Sequence, residues 1–532
     1  MRAGARNLQA ESSTAPDRAT LVLLALVLVA AVANLNLSVT AVALPDIARA
    51  LQATQTELDL IAVGYSLGLA ATVLYLGAVG DRYGRKLLLV LGVVLSVPAC
   101  LIAATATTVP VLVAARIFGG VAAGMAYPTT LALITALWSG PARTRSIALW
   151  SALGGAISAL GPVTAGFVLI HYYWGSVYLI TLPLAVVALI CAVMYVPNHV
   201  NETTEAVDNL GGVISMVFVG ALVLAINYAA EPGRATLALE LGVLAVAAAV
   251  GFAVRELKTK NPLFDLHVAR RRIFWVAACA GIIVFGSLMA AMFVGQQFLQ
   301  NVLGYSTFTS GAAILPAAGF MVVAAPFSAK MIARRGSRTT LLFGYLFCLL
   351  GFLVMLALWK DGVSYWPVGL GYALVGIGVG LAGTPASHSL TGSVPVRRAG
   401  MASGTADLQR DLGAAIMQSI LGALLTAGYA AAIASHISSA PPAAQEQITA
   451  QVESTLQNSF AGAEVIAEQY PQYEEQIIDA ARESFVKGAD AAYLAGITAT
   501  VLGAGLVFFC YPRREGEAAL LANYHQEDQA NA

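Results

Sequence analysis

Fourteen stretches of this chain are each about twenty residues long and nearly free of charge. They run approximately 20–43, 58–80, 87–107, 110–137, 146–170, 176–197, 210–230, 236–254, 273–299, 310–332, 339–359, 366–389, 404–432 and 488–511. Twenty residues of helix span about 30 Å, the thickness of a bilayer's hydrocarbon core. Backbone groups inside lipid must find partners within their own segment, which selects the helix. A barrel strand would instead alternate in polarity over about ten residues. Across 532 residues, 58% are hydrophobic and 11% are charged. A soluble domain carries about 25% charged residues, so that class is excluded. Lys plus Arg equal Asp plus Glu at 29 each. With no net charge, nothing draws the chain to a nucleic acid.

Basic residues set the expected sidedness. With the N-terminus inside, inner loops and tails hold 22 of the 29, among them Arg82, Arg85, Lys86, Arg334, Arg335 and Arg338. Outer segments hold Arg49, Arg234, Lys360, Arg482 and Lys487, while Arg116 and Arg410 fall in or at the edge of spans. That bias obeys the positive-inside rule and brings both termini to the cytoplasmic side. The first apolar run lacks a cleavage site and reads as a span. The five cysteines lie in apolar stretches without metal-ligand spacing. Residues 433–490 form the longest outer segment, with nine acids and two basic residues. Within it, 443–457 and 473–486 read as helices broken by Pro471. Together they make a solvated cap or an exit-side lid.

The chain echoes itself at an offset of 252 residues. Gly77-Ala-Val-Gly80-Asp81-Arg82-Tyr83-Gly84-Arg85-Lys86 joins spans 2 and 3, and Ala329-Lys-Met-Ile-Ala-Arg334-Arg-Gly336-Ser-Arg338 joins spans 10 and 11. Laying Gly84 on Gly336 pairs span 4 with 12 and span 5 with 13, leaving spans 7 and 8 unmatched. Repeats with a site at their interface are a transporter pattern. The expected organisation is a tail (1–19), a six-helix bundle (20–197), two inserted helices (198–272), a second six-helix bundle (273–511) carrying 433–490, and a tail (512–532).

The Gly77–Lys86 decamer resembles motif A of the major facilitator superfamily, an inner turn whose charge contacts move with a rocking transition. In span 4, Arg116, Gly120, Gly124 and Tyr127 recur on one face and resemble motif B, with Gly119 where the family has Gln. An Arg within lipid is a functional candidate by default, the plain alternative being a guanidinium capped by carbonyls. In span 5, the run from Leu153 to Gly166 contains Gly155, Gly161, Pro162 and Gly166 and resembles motif C, the family's antiporter mark. It ends Ala165-Gly166 instead of Gly-Gly. Ala41-Val-Ala-Leu-Pro45, Leu303-Gly-Tyr-Ser306 and Arg398-Ala-Gly-Met-Ala-Ser-Gly404 are similar to stretches of the fourteen-span drug:proton antiporters, exporters of quaternary ammonium compounds, dyes and antibiotics. The resemblance implies an all-α fold of fourteen transmembrane helices, two six-helix bundles with two inserted helices. It also implies proton-driven export of amphipathic, often cationic, compounds from a bacterial inner membrane by a monomer. Small substrates, protons and the bilayer would be its partners.

Two family acids are missing. In span 1 the matching position is Asn36, which cannot carry a proton, and before Tyr65-Ser-Leu67 in span 2 stands Val63. The remaining proton-coupling candidates are Asp59 at the start of span 2 and the span 13 pair Asp407 and Asp411, with Arg410 between them. Asp59 could instead cap a helix, and the span 13 group could be an inner-edge ion-pair network. Cavity candidates are Asn36, Tyr65, Tyr127 and Trp150 in the first half, and Phe285, Met289, Phe293 and Gln296 on span 9. Met and aromatic rings accommodate varied apolar and cationic ligands. No P-loop, zinc cluster, haem motif or nucleophile elbow occurs, so neither an enzyme nor a cofactor is expected. Loss of the span 1 acid leaves open a neutral, lipid-like or anionic cargo.

Overall fold

The computed structural model describes residues 16, 18–138, 140–198, 206–229, 233–260, 262–394, 399–439, 445 and 448–530. Among them the regular structure is helical: α1 (Ala19–Ser38), α2 (Thr40–Leu51), α3 (Gln55–Tyr83), α4 (Arg85–Ala104), α5 (Val109–Leu137), α6 (Gly140–Leu169), α7 (Ser176–Leu179), α8 (Thr181–Tyr195), α9 (Asn209–Ala229), α10 (Ala235–Lys258) and α11 (Leu266–Ala269). The chain continues as α12 (Arg272–Gln297), a π-helical turn (Phe298–Val302), α13 (Thr307–Ala313), α14 (Leu315–Arg335), α15 (Ser337–Leu358), α16 (Tyr365–Gly392) and α17 (Ala399–Ser439). It closes with α18 (Ala450–Asn458), α19 (Phe460–Gln469), α20 (Glu474–Cys510) and α21 (Arg514–Ala530). Thirteen helices among the described residues are long and apolar enough to cross a membrane. The 30-residue α6 occupies the fourteenth expected place.

The packing repeats with the sequence. Helix α5 receives α3 and α4, as α16 receives α14 and α15. Helix α1 packs on α6 and α8, as α12 packs on α17 and α20. Gly84 and Gly336, equivalent in the echo, sit between consecutive helices at φ 116° and 83°. That backbone region is cheap only for glycine. Both six-helix units therefore turn at the same place for the same reason.

Small residues let these helices approach closely. A Cβ on Gly68 would fall 2.2 Å from the Ile117 carbonyl oxygen, and one on Gly344 would fall 2.7 Å from that of Gly378. Outward faces are apolar. On α10, Leu239, Val243, Val246 and Val250 are all exposed, as suits a helix bathed in lipid. The inserted pair docks through α9, which packs on α3 and α17, while α10 leans on α9.

The 433–490 segment differs from expectation. Helix α17 runs on to Ser439, and α20 begins at Glu474, fused to the last span. The start of the expected helix over 443–457 lies largely outside the described residues, and its remainder is α18, which Thr449 caps by accepting from the Val452 amide. Helix α19 was not expected. Ser459 caps it, and Phe460, Ala463 and Ile466 are buried beneath it. The segment is thus a packed cover over one end of the molecule, called here the cover end.

Candidate functional site

The two halves meet along α3 with α17 and along α6 with α13 and α14. These are the same contact seen twice, since the repeat pairs α3 with α14 and α6 with α17. The motif C residues supply one of the seams. A Cβ on Gly166 would lie 2.6 Å from the Thr307 carbonyl oxygen, and one on Gly311 would lie 2.3 Å from that of Pro162. Gly161 faces the other way, against the Ser38 hydroxyl within its own half. The surroundings of Gly155 lie outside the described residues. At the cover end Gln300 donates to the Val42 carbonyl at 2.9 Å, and Gln55 donates to Gln297 Oε1 at 3.1 Å. Arg49 Nε donates to Glu464 Oε2 at 2.8 Å, tying α2 to α19.

Asp59 belongs to the α3–α17 seam. It does not cap a helix, because Thr54 and Glu57 form the capping box of α3. Its side chain is buried and accepts from Gln55 Nε2 and from Thr426 Oγ1, each at 3.2 Å. Gly422 of α17 leaves the space that its carboxylate fills.

A second cluster lies deeper, where α17 crosses α5. Arg410 places its guanidinium 4.4 Å from the centre of the Tyr127 ring and donates from Nη1 to the Tyr127 hydroxyl. Tyr127 in turn packs 5.5 Å from Trp150. Asp407 and Asp411 are buried on the same turns of α17, and Arg410 Nε is 3.5 Å from Asp411 Oδ1. Asp411 Oδ2 and Trp150 Nε1 are buried without a hydrogen-bond partner among the described residues. Unsatisfied buried groups are rare and ask for an explanation, such as a proton or a ligand. This cluster joins residues of both halves.

Arg116 forms a third site, inside the first half. Its Nη1 donates to the Asn36 carbonyl at 2.7 Å and its Nε to the Ile61 carbonyl at 3.3 Å. Tyr65 and Tyr178 cover it at 4.9 and 5.7 Å. Asn36 Oδ1 accepts from Thr181 at 3.1 Å and from Cys100 at 3.3 Å. Tyr65 is thus engaged by Arg116, and Gly120 packs directly on the Tyr65 carbonyl.

Arg85 and Lys86 of motif A are held within their own half. Arg85 Nε bridges to Asp81 Oδ1 at 2.8 Å, and Lys86 donates to the Val193 carbonyl and to Asn198 Oδ1. Gly80 packs on Leu88 and Thr129, Gly77 faces open space, and Arg82 is exposed. On span 9, Phe285 and Met289 are half-buried on one face. Phe293 is fully buried among apolar residues, and Gln296 donates to the Ser310 carbonyl at 2.8 Å. These two stabilise the second half and line no open space in this conformation. Sequence reasoning missed Gln55, Gln297, Gln300 and Thr426. For Gln297 and Gln300 the signal was the amide run Gln296-Gln-Phe-Leu-Gln-Asn301 at the end of an apolar helix, which passes into a π-turn, a feature common at functional sites, whereas Gln55 and Thr426 gave none.

A repeat-built membrane bundle whose buried charges gather where two halves meet defines a secondary carrier. The chain belongs to the Major Facilitator Superfamily, whose family model matches residues 26–418. It is 30% identical over 467 residues, 86% of each chain, to the multidrug resistance protein Stp of Mycobacterium tuberculosis. It is 29% identical to the multidrug efflux pump LfrA of Mycolicibacterium smegmatis, covering 89% of this chain and 92% of that protein. The methyl viologen resistance protein SmvA of Salmonella typhimurium is 30% identical over 92% of this chain and 98% of its own. In fold it is similar to a bacterial homologue of the human lysosomal transporter Spinster. That match has a TM-score of 0.59 and 14% identity and covers 96% of this chain and 98% of that one.

Proposed function

We propose that this chain exports amphipathic compounds, many of them cationic, from the bacterial cytoplasm across the inner membrane in exchange for protons. Both termini would lie on the cytoplasmic side, and a monomer would suffice. The relatives named for multidrug resistance and efflux support the substrate class. The observation that carries the coupling is the cluster of Asp407, Arg410 and Asp411 on α17 against Tyr127 and Trp150 of the first half. Asp411 has a free buried oxygen at which a proton can rest. With Asp411 ionised, Arg410 is shared between that carboxylate and the Tyr127 ring. With Asp411 protonated, the guanidinium loses its nearest counter-charge, keeps only Asp407 and leans more on the other half. A proton on Asp411 therefore shifts the balance between the two arrangements, which is what coupling requires. Asp59, packed against α17 nearer the cover end, is the second carboxylate that could take part.

The test is proton flux in vesicles holding the purified protein, with a gradient of a cationic dye imposed. Dye-driven proton movement is expected for the native chain, and it should fall to the level of empty vesicles in Asp411→Asn. Dye movement without protons would sink the coupling. Movement of neither would sink the export reading.

A further inference from the structure

A guanidinium keeps its charge at any working pH. Taken out of water it needs an opposite charge or a full set of acceptors, and without them its burial is costly. Arg116 is 3% exposed. Among the described residues no carboxylate lies within 4.0 Å of it, and its partners are two peptide carbonyls and two aromatic faces. The nearest polar side chain along α1 is Asn36, a neutral amide whose oxygen is already taken by Thr181 and Cys100. Arg116 Nη2 is buried without a partner, and the Tyr178 hydroxyl beside it meets only the hydroxyl of Thr40. The arrangement holds one uncompensated positive charge, one idle guanidinium donor and a pair of hydroxyls that meet only each other. That is the chemistry of an anion site.

We propose that Arg116, Tyr178 and Thr40 form a binding site for an anionic group, the carboxylate of a zwitterionic or acidic amphiphile that the protein carries. The proposal deepens the export reading above and rests on it for the word "carries", but not for the binding. The cargo's carboxylate would accept from Arg116 Nη2 and the two hydroxyls, while its apolar body would meet Tyr65 and Tyr178. A hydrogen bond to a charged group contributes roughly tenfold or more in affinity, so carboxylated compounds should be favoured over their neutralised forms by about that factor.

The experiment uses a matched pair of probes: a xanthene dye with a cationic ring system and a free carboxylate, and its ethyl ester, which keeps the cation and loses the anion. Binding is read first, as the shift in thermal midpoint of the detergent-solubilised full chain with each dye, in chloride and in gluconate buffer. The free acid should stabilise the native chain at about tenfold lower concentration than the ester. Arg116→Gln should erase the difference. Asn36→Asp supplies an internal carboxylate beside Arg116 and should reverse it towards the ester, so a misfolded Arg116→Gln would not stop the test. Transport of the two dyes in vesicles is read second, and failure there with binding intact would count against export alone. Stabilisation by chloride without preference for the acid dye would assign the site to a solution anion and overturn the cargo assignment. Equal binding of acid and ester, unchanged by Asn36→Asp, would overturn the site.

Discussion

At Gly120 the backbone of α5 lies against the backbone of α3 with no room for a side chain. A Cβ there would sit 2.1 Å from the Tyr65 carbonyl oxygen and 2.9 Å from the Leu69 amide nitrogen. Both are backbone atoms, so the helices themselves must part. Overpacking of this kind costs about 1–3 kcal/mol. Gly120→Ala should therefore lower the thermal midpoint of the purified protein, although alanine is the better helix former. Gly242, with nothing within 4 Å, is the control, and Gly242→Ala should leave the midpoint unchanged or raise it slightly. Equal midpoints for the two variants would refute the close-packing argument. Residues of this kind are half legible in a sequence: the glycine spacing shows that two helices touch, but not which two. The same limit explains the site. Arg116, Arg410, Asp407 and Asp411 stood out because a charge in an apolar run is conspicuous. Gln55, Gln297 and Thr426 did not, because an uncharged polar residue gains meaning only from what crosses it.

The inserted hairpin shows how an element is anchored by few contacts. Helix α10 buries almost nothing, so α9 and α10 are held by the α9 face and by a polar knot at one end. There Arg255 donates from Nε and Nη2 to the Asp208 carboxylate at 3.0 Å each. Thr259 and the Gly211 amide donate to the same group, at 3.4 and 3.0 Å. The guanidinium above all, then the Gly211 amide, holds the Asp208 carboxyl below its ordinary value near 3.8, against the opposing effect of burial. A carboxyl depressed in the folded state stabilises fully above its ordinary value and loses that contribution as pH falls through the lower one. Asp208→Asn should thus reduce the thermal midpoint at pH 7, and the gap to the native chain should narrow as pH falls below the ordinary value of 3.8. An unchanged gap at low pH would mean that the knot acts by shape and not by charge. The hairpin's existence was plain from hydropathy alone, and its docking was not. The cover was less legible still. The amphipathic turns of α19 sit between two spans whose helices run beyond the membrane-length apolar stretches, so the loop boundaries drawn from apolar content fell inside helices.

At the scale of the molecule, the two halves are joined by a pair of equivalent seams, and the tightest contacts lie at the cover end. Gly166 against Thr307 and Gly311 against Pro162 close one of them, and Asp59 against Gly422 and Thr426 closes the other. Alternating access requires these seams to part while others form, so the small residues there set the balance between arrangements. A bulky side chain at Gly311 cannot fit, since even a Cβ would stand 2.3 Å from the Pro162 carbonyl oxygen. It would act as a wedge that disfavours this closed end relative to the open one. Because interfaces of this kind are bistable, a local wedge should be read out at the opposite seam. Thr426 is 6% exposed, so a cysteine placed there should react slowly with a membrane-impermeant thiol reagent, after subtracting the labelling of the native chain. In the double variant Gly311→Leu with Thr426→Cys, labelling should become several-fold faster. The same rate in single and double variants would show that the seams move independently, and the rocking of two rigid halves would then be the wrong description.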